Sequence, residues 1–176
     1  MSQNNYYGHK NYRVTFQPNI GLDATVRQSV IEILKLLLAD EAVLSFKTHK
    51  AGGNPNATDI PDLRTLFDTQ NEQINAASNE IMERVQIMGG NHLRDLEENY
   101  EYARLGVDLN AYPSPLNILA DHEAYIRFLR EDAQKCFELY EDQGTYALLV
   151  NILRIHEKMA WVLRKNITLE QFDQGN

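Results

Sequence analysis

The sequence is poor in cysteine, in positive charge and in long apolar runs. Its one cysteine, Cys136, has no partner for an internal disulfide, so nothing points to an oxidising compartment. The net charge of −8 disfavours binding to nucleic acid or anionic membrane surfaces. Apolar runs such as Leu36–Ala39 are far too short to cross a bilayer. The polar segment from Met1 to Asn19 also lacks the apolar core of a signal peptide. We therefore expect a cytoplasmic protein without a membrane partner.

Strand-like alternation is also missing, whereas apolar residues recur at helical spacing. The chain has 176 residues and is 43% hydrophobic, enough for one domain with a core. Glycine, proline and capping residues divide it into four helical segments. The predicted helices run from an Asp23 cap to about Lys50, from Thr58 or Asp59 to Met88, from Ser114 to about Asp142 and from about Thr145 to Asn166.

The connections between these helices are unequal in length. The first and last are short, but the middle one is long and includes a weakly helical stretch, Leu93–Leu105. This pattern predicts an all-α, ferritin-like four-helix bundle with one long crossover connection. The predicted bundle spans residues 22–168, between a flexible tail over 1–21 and a C-terminal tail over 169–176. In the second helix an apolar residue recurs every seven positions, which favours packing against neighbouring helices at a shallow angle. These residues are Phe67, Ile74, Ile81 and Met88.

Four polar residues of the second helix, Arg64, Asp68, Asn79 and Glu83, share one face. With Arg64 at 0°, the other three lie at about 40°, 60° and 100° around the axis. The positions are also symmetric, because 64 and 83 average 73.5, as do 68 and 79. If two copies cross antiparallel at that point, Arg64 faces Glu83 of the partner subunit and Asp68 faces its Asn79, as in an isologous interface. Alternatively, this face is simply the solvated side of an amphipathic helix.

Three segments of the chain, in their order and spacing, resemble the Dps family of miniferritins. The family has a histidine at the end of the first helix before a Gly/Asn-rich loop, a Glu-Arg-x-x-x-x-Gly-Gly segment that ends the second, and a closing Lys-x-x-Trp…Asn-Ile pattern. The corresponding residues here are His49 with Lys50–Asn54, Glu83–Gly90, and Lys158–Trp161 with Asn166–Ile167. The resemblance covers residues 22–168 and implies a shell of twelve subunits, built from two-fold dimers, that oxidises and stores iron.

The resemblance also implies a ferroxidase site between two-fold-related subunits. His49, Asp68 and Glu83 match its ligand types, and Asn79 and Glu80 are further candidates. Two positions depart from the family pattern. Arg64 stands where a histidine ligand is expected, and arginine has no lone pair to give to iron. Asn79 stands where an aspartate bridges two irons, and an amide is a weaker ligand for a hard cation.

Two readings of the site therefore remain open. In the first, His49, Asp68 and Glu83 still bind iron, as Fe(II) or Fe(III), at a weakened site. In the second, Arg64 and Glu83 form an ion pair between subunits. Asp68 and Asn79 form a hydrogen bond, and His49 stabilises the C-terminus of its helix, where a positive charge is favourable. The protein would then be a non-catalytic shell.

Other polar residues carry weaker signals. Asp121 and Glu123, beside His122, form an acidic patch that would either line an ion-entry pore or lie on a solvated surface. His156 fits a surface or interface position, and Trp161 and Phe128 fit the core. The Glu-x-x-His motifs of larger ferritins are absent. The N-terminal tail offers Lys10 and Arg13 as cations, so we expect DNA binding to be weak or absent.

Overall fold

The computed structural model describes residues 4–7, 10–13, 17–54, 61–91 and 101–173. Its long helices are α1 (Ala24–Gly52), α2 (Pro61–Ile87), α3 (Pro115–Glu138) and α4 (Gln143–Asp173). The predicted helical class and four-helix bundle are therefore confirmed. Over the described part of the chain, no helix has the length and apolarity that a membrane span requires.

Two short strands, β1 (Asn4–Tyr7) and β2 (Lys10–Arg13), precede the bundle. They pair antiparallel, with Asn4 opposite Arg13 and Tyr7 opposite Lys10. This hairpin was not predicted from the sequence, because four residues per strand are too few for an alternating pattern to stand out. The division of the chain into two tails and a bundle stays a prediction.

Capping residues precede three of the helices. Asp23 is at the N-cap position of α1, and its side chain forms no capping hydrogen bond. Ser114 forms a capping box: its Oγ accepts from the backbone N of Asn117 at 3.2 Å, and Asn117 Oδ1 accepts from the backbone N of Ser114 at 2.9 Å. The predicted end of α3 at about Asp142 is wrong, because α3 ends at Glu138. Asp142 Oδ1 accepts from the backbone N of Thr145 at 3.0 Å and so caps α4.

Two further predicted boundaries differ from the structure or lie outside it. Helix α4 continues to Asp173, beyond the predicted end at Asn166. The predicted cap of α2 at Thr58 or Asp59 lies outside the described residues. So does most of the weakly helical stretch Leu93–Leu105, of which Glu101 and Tyr102 are helical.

The connection from α2 to α3 is described near its two ends, which lie beside opposite ends of α1. It starts beside the first turn of α1, where Arg27 Nε donates to the carbonyl of Met88 at 3.2 Å. It later passes the last turns of α1, where Lys47 Nζ donates to the carbonyl of Gly106 at 3.0 Å. The predicted crossover is therefore present, and it makes α2 and α3 parallel while α1 is antiparallel to both.

The interior contains two hydrophobic clusters, stacked along the bundle axis. The larger, cluster A, includes Leu34, Leu44, Ile74, Tyr125 and Met159, and the smaller, cluster B, includes Ala51, Phe67, Leu119, Ala160 and Leu163. All four members of the seven-residue repeat of α2 are at most 1% exposed, so this repeat is the buried stripe. Phe128 packs against cluster A as predicted. The prediction that Trp161 is a core residue is wrong, since its side chain is 59% exposed.

A layer of buried polar side chains lies where cluster A meets cluster B. His156 connects two of them: its Nε2 lies 3.0 Å from Glu41 Oε1, and its Nδ1 lies 3.1 Å from His122 Nδ1. All three residues are fully buried. The predicted surface positions of His122 and His156 are therefore wrong. Each histidine occupies a position on the inner stripe of its helix where an apolar residue is usual. A polar residue at such a position looks, by helical periodicity alone, like an outward-facing one.

A second polar network attaches the crossover to the bundle. Arg104 donates through Nε to Asp40 Oδ2 at 2.8 Å and through Nη1 to Asp132 Oδ2 at 2.8 Å. Asp40 Oδ1 also accepts from the backbone N of Leu105 at 3.0 Å. Burial raises the pKa of Asp40, although the charge of Arg104 opposes the shift. This one guanidinium therefore compensates two buried carboxylates on different helices.

Replacing Arg104 with methionine should destabilise the subunit by about 3 kcal/mol, because Asp40 would lose its counter-charge and Asp132 would keep only Lys135. The measurement is urea unfolding followed by circular dichroism. Arg130→Met is the matched control. Arg130 pairs with Glu157 at the surface, and its loss should cost less than about 1 kcal/mol. Equal effects of the two substitutions would contradict the assigned role of Arg104.

The stability of the fold should also fall as the pH drops below about 6.5. Burial, and then the nearby charge of His156, lower the pKa of His122 to about 3. Below pH 6.5 the unfolded chain takes up a proton at His122 and the folded chain does not. At pH 5 this costs about 2 kcal/mol. In urea unfolding at pH 7, 6 and 5, His122→Leu should have the flatter pH dependence. An unchanged slope would show that His122 is not the group involved.

Candidate metal site

The predicted site residues lie on the outside of the subunit. His49 is in the last turn of α1, and the others lie along α2; all have exposed side chains. No side chain among them forms an ion pair or hydrogen bond with another described residue. These residues are His49, Arg64, Asp68, Asn79, Glu80 and Glu83. The face defined by Arg64, Asp68, Asn79 and Glu83, called the polar face below, is therefore unpaired within the described chain.

Helices α1 and α2 pack closely against each other near Asp68. A methyl group built on Gly52 would lie 3.3 Å from Phe67 Cβ and 3.8 Å from Asp68 Oδ1. The absence of a side chain at Gly52 therefore lets the end of α1, which carries His49, pack beside Asp68.

The structure does not bring the whole predicted ligand set together in one subunit. Glu83 is fifteen residues beyond Asp68 on α2, roughly 22 Å along the axis at 1.5 Å per residue. Within the described ranges, no three histidine, cysteine, aspartate or glutamate side chains converge on a common point that could hold a metal ion. One subunit therefore supplies ligand types at two separate places on its surface.

Arg84, next to Glu83, has the opposite orientation. Its Nη2 donates to Asp142 Oδ1 at 2.9 Å and its Nε donates to Thr145 Oγ1 at 2.9 Å, at the start of α4. A methyl group on Gly144 would lie 2.9 Å from Arg84 Nη2, so a side chain there would force the guanidinium to shift. This contact was not predicted from the sequence, although the Asp142-x-x-Thr145 capping pattern is visible there. It fixes the rotation of α2 that exposes Glu83.

The acidic patch on α3 is largely paired inside the subunit. Asp121 Oδ2 lies 2.6 Å from Lys47 Nζ, and both side chains are 15% exposed. Burial raises the pKa of Asp121, and Lys47 opposes this shift. Glu123 pairs with Arg164 at the surface. The role of Asp121 and Glu123 in an ion-entry pore stays a prediction, and Lys47 would offset part of the negative charge that such a pore needs.

Comparison of sequences identifies the family. The model of the ferritin-like domain matches residues 31–172. An uncharacterised low temperature-induced protein of Nostoc is 33% identical over 153 residues, which cover 85% of this chain and 86% of that protein.

Solved structures show the same architecture at lower identity. DpsC from Streptomyces coelicolor superposes with a TM-score of 0.80 at 22% identity, over 92% of this chain and 96% of DpsC. An archaeal Dps homologue from Halobacterium salinarum gives 0.77 at 23% identity, over 90% and 92% of the two chains. The family match and these superpositions show that the chain belongs to the ferritin-like family and has the Dps fold.

Proposed function

We propose that this protein is a Dps-like miniferritin that binds and stores iron and protects against oxidative stress, with an altered ferroxidase site between subunits. The observation that carries the proposal is the polar face of α2, which is exposed and has no partner among the described residues. Elsewhere in the subunit, buried or partly buried charges such as Asp40, Arg84 and Asp121 have partners at 2.6–2.9 Å. Charged and amide groups that lack such partners in one subunit are suited to contact with a second copy of the subunit.

Two copies of α2 crossing antiparallel at position 73.5 would complete the polar face. Arg64 would meet Glu83 of the partner subunit, and Asp68 would meet the partner subunit's Asn79. His49, at the end of α1 beside Asp68, would join the same site. A site of this kind occurs twice per dimer, because the interface is isologous. The Dps fold supports further assembly of these dimers into a dodecamer in the cytoplasm.

The residues suit a weakened metal site with iron as substrate. Asp68 and Glu83 offer carboxylates and His49 an imidazole, all accepted ligands for Fe(II). Dioxygen or peroxide would take one electron from each Fe(II) to give Fe(III). Arg64 opposes this chemistry, since its charge repels the cation and its guanidinium competes for Glu83. Asn79 would coordinate only as a neutral amide, and Glu80 is the nearest additional carboxylate in sequence.

A non-catalytic shell is the second candidate function. It is favoured by Arg64 itself, which is exposed and placed to neutralise a glutamate of the partner subunit. In that case the polar face serves only as an interface, and the protein keeps the subunit contacts of a ferritin-like shell without oxidising iron. We do not propose DNA protection, because the net charge of −8 works against it.

Restoring the missing ligand types should raise iron oxidation. The double variant Arg64→His, Asn79→Asp should oxidise Fe(II) at least about tenfold faster than the parent, since loss of one nearby positive charge is worth more than about 1.4 kcal/mol. Each single variant serves as a control and should gain less, because one lacks the bridging carboxylate and the other keeps the arginine. The measurement is ferric absorbance after addition of Fe(II) under oxygen or peroxide. A parent as fast as the double variant would contradict the weakened site.

The interface itself can be tested by exchanging charges. Arg64→Glu should weaken self-association at least about tenfold, because it places two glutamates opposite each other. The double variant Arg64→Glu, Glu83→Arg should restore it. Sedimentation velocity at micromolar concentration measures both. Recovery in the double variant supports the pairing across the two-fold axis, whereas equal weakening in the single and double variants would rule it out.

A further inference from the structure

One exposed stripe of α4 is basic and carries the single tryptophan of the chain. Its side chains recur at intervals of three and four residues, so they lie on one side of the helix. They are Arg154, Lys158, Trp161 and Lys165, and all four are exposed. Trp161 is 59% exposed, and Lys165 Nζ lies 5.8 Å from the centre of its ring. We call these four residues the basic stripe.

Helix α3 places a further cation beside this stripe. Two ion pairs join the outer sides of α3 and α4, namely Arg130 with Glu157 and Glu123 with Arg164. Arg127 lies between these pairs on α3, as Trp161 does on α4, and each is four or fewer residues from its paired neighbours. Arg127 is therefore level with the indole of Trp161.

The positive charge of this surface is only partly neutralised. Arg127, Arg154 and Lys158 form no ion pair or hydrogen bond with another residue that the structure describes. The chain as a whole is acidic, with a net charge of −8. A basic patch on an acidic protein attracts other copies of that protein, because the rest of their surface is negative.

A surface of complementary character lies at the turn between α3 and α4. Phe137 and Leu139 are 47% and 67% exposed there. Glu138 and Glu141 are exposed as well. Glu138 accepts from the neutral amide of Gln134, and neither glutamate pairs with a cation among the described residues. The turn therefore presents two apolar and two acidic side chains, and we call these four residues the acidic turn.

The basic stripe and the acidic turn cannot meet within one subunit. Trp161 is eighteen residues beyond the start of α4 at Gln143, roughly 27 Å along the axis at 1.5 Å per residue. Even Arg154, the nearest cation of the stripe, is eleven residues beyond Gln143, roughly 16 Å. Extended arginine and glutamate side chains together do not span that distance. The two surfaces can meet only if one subunit presents its turn to the stripe of another.

From these observations we infer that a second copy of the chain covers the basic stripe with its acidic turn. Trp161 packs against Leu139 of the partner subunit, which removes two exposed apolar groups from water. Arg154 and Lys158 face the glutamates of the same turn.

This contact joins two different surfaces, so it is heterologous, unlike the self-complementary contact of the polar face. A heterologous contact repeats from copy to copy until it closes into a ring. Such rings, linked through the polar face, build a closed shell. Only this closure rests on the proposed function; the contact between turn and stripe does not.

Charge exchange tests the contact. The stripe variant Arg154→Glu, Lys158→Glu and the turn variant Glu138→Lys, Glu141→Lys should each weaken self-association at least about tenfold, because like charges would face each other. The variant that combines all four substitutions has the net charge of the parent and should recover its association. Sedimentation velocity at micromolar concentration measures all four proteins. Equal weakening in the stripe, turn and combined variants would overturn the inference.

The fluorescence of Trp161 gives a second readout, because the chain has no other tryptophan. Its emission should lie at shorter wavelength in the assembled parent than in the stripe variant, where the indole returns to water. Arg64→Glu is the control: it breaks the polar-face contact, so it should lower the oligomer size and leave the emission as in the parent. If the stripe variant changes neither oligomer size nor emission while Arg64→Glu lowers the size, the inference is overturned and the proposed function is not.

Discussion

The buried contact between Glu41, His156 and His122 is the constraint on which the rest of the subunit depends. It joins α1, α4 and α3 at one level of the bundle, and hydrogen bonds are directional where apolar packing is not. A hydrophobic interior tolerates small sliding of one helix along another, but a shift of one turn here would leave a carboxylate and two imidazoles buried without partners. We infer that the polar layer fixes the register of the helices. That register places the end of α1 beside Asp68.

The distribution of charge gives the subunit two kinds of surface. Asp40, Asp121, Asp132 and Asp142 are all neutralised by a cation from a different element. The charged side chains on the polar face of α2 have no such partner in the part of the chain that the structure describes. In the proposed assembly the same residues provide both subunit contact and metal chemistry, so a substitution that strengthens one function weakens the other. Arg64 illustrates the conflict, since an ion pair with the partner subunit's Glu83 would remove a ligand from iron.

The sequence predicted the parts of the fold that depend on neighbours along the chain. Ser114 and Asp23 marked helix starts, and the repeat from Phe67 to Met88 marked the buried stripe of α2, because capping and helical periodicity act over a few residues. It failed for His122, His156 and Trp161. The helical spacing is the same whether the histidine is buried and the tryptophan exposed, as here, or the reverse, which is more common. Packing against the neighbouring helices decides which side of the helix is buried.

For the candidate site, the sequence by itself determined which residue types are available: His49, Asp68 and Glu83 as ligand types, with Arg64 and Asn79 as departures. Its symmetry about position 73.5 also allows a self-complementary pairing between two copies. Only the tertiary structure decided that these side chains point away from their own subunit and have no partner in its described part. The reason is that the rotation of α2 is set by contacts remote in sequence, namely Arg84 with Asp142 and Thr145, and Gln70 with the carbonyl of Met159. Local sequence carries no information about such contacts until the helices are packed.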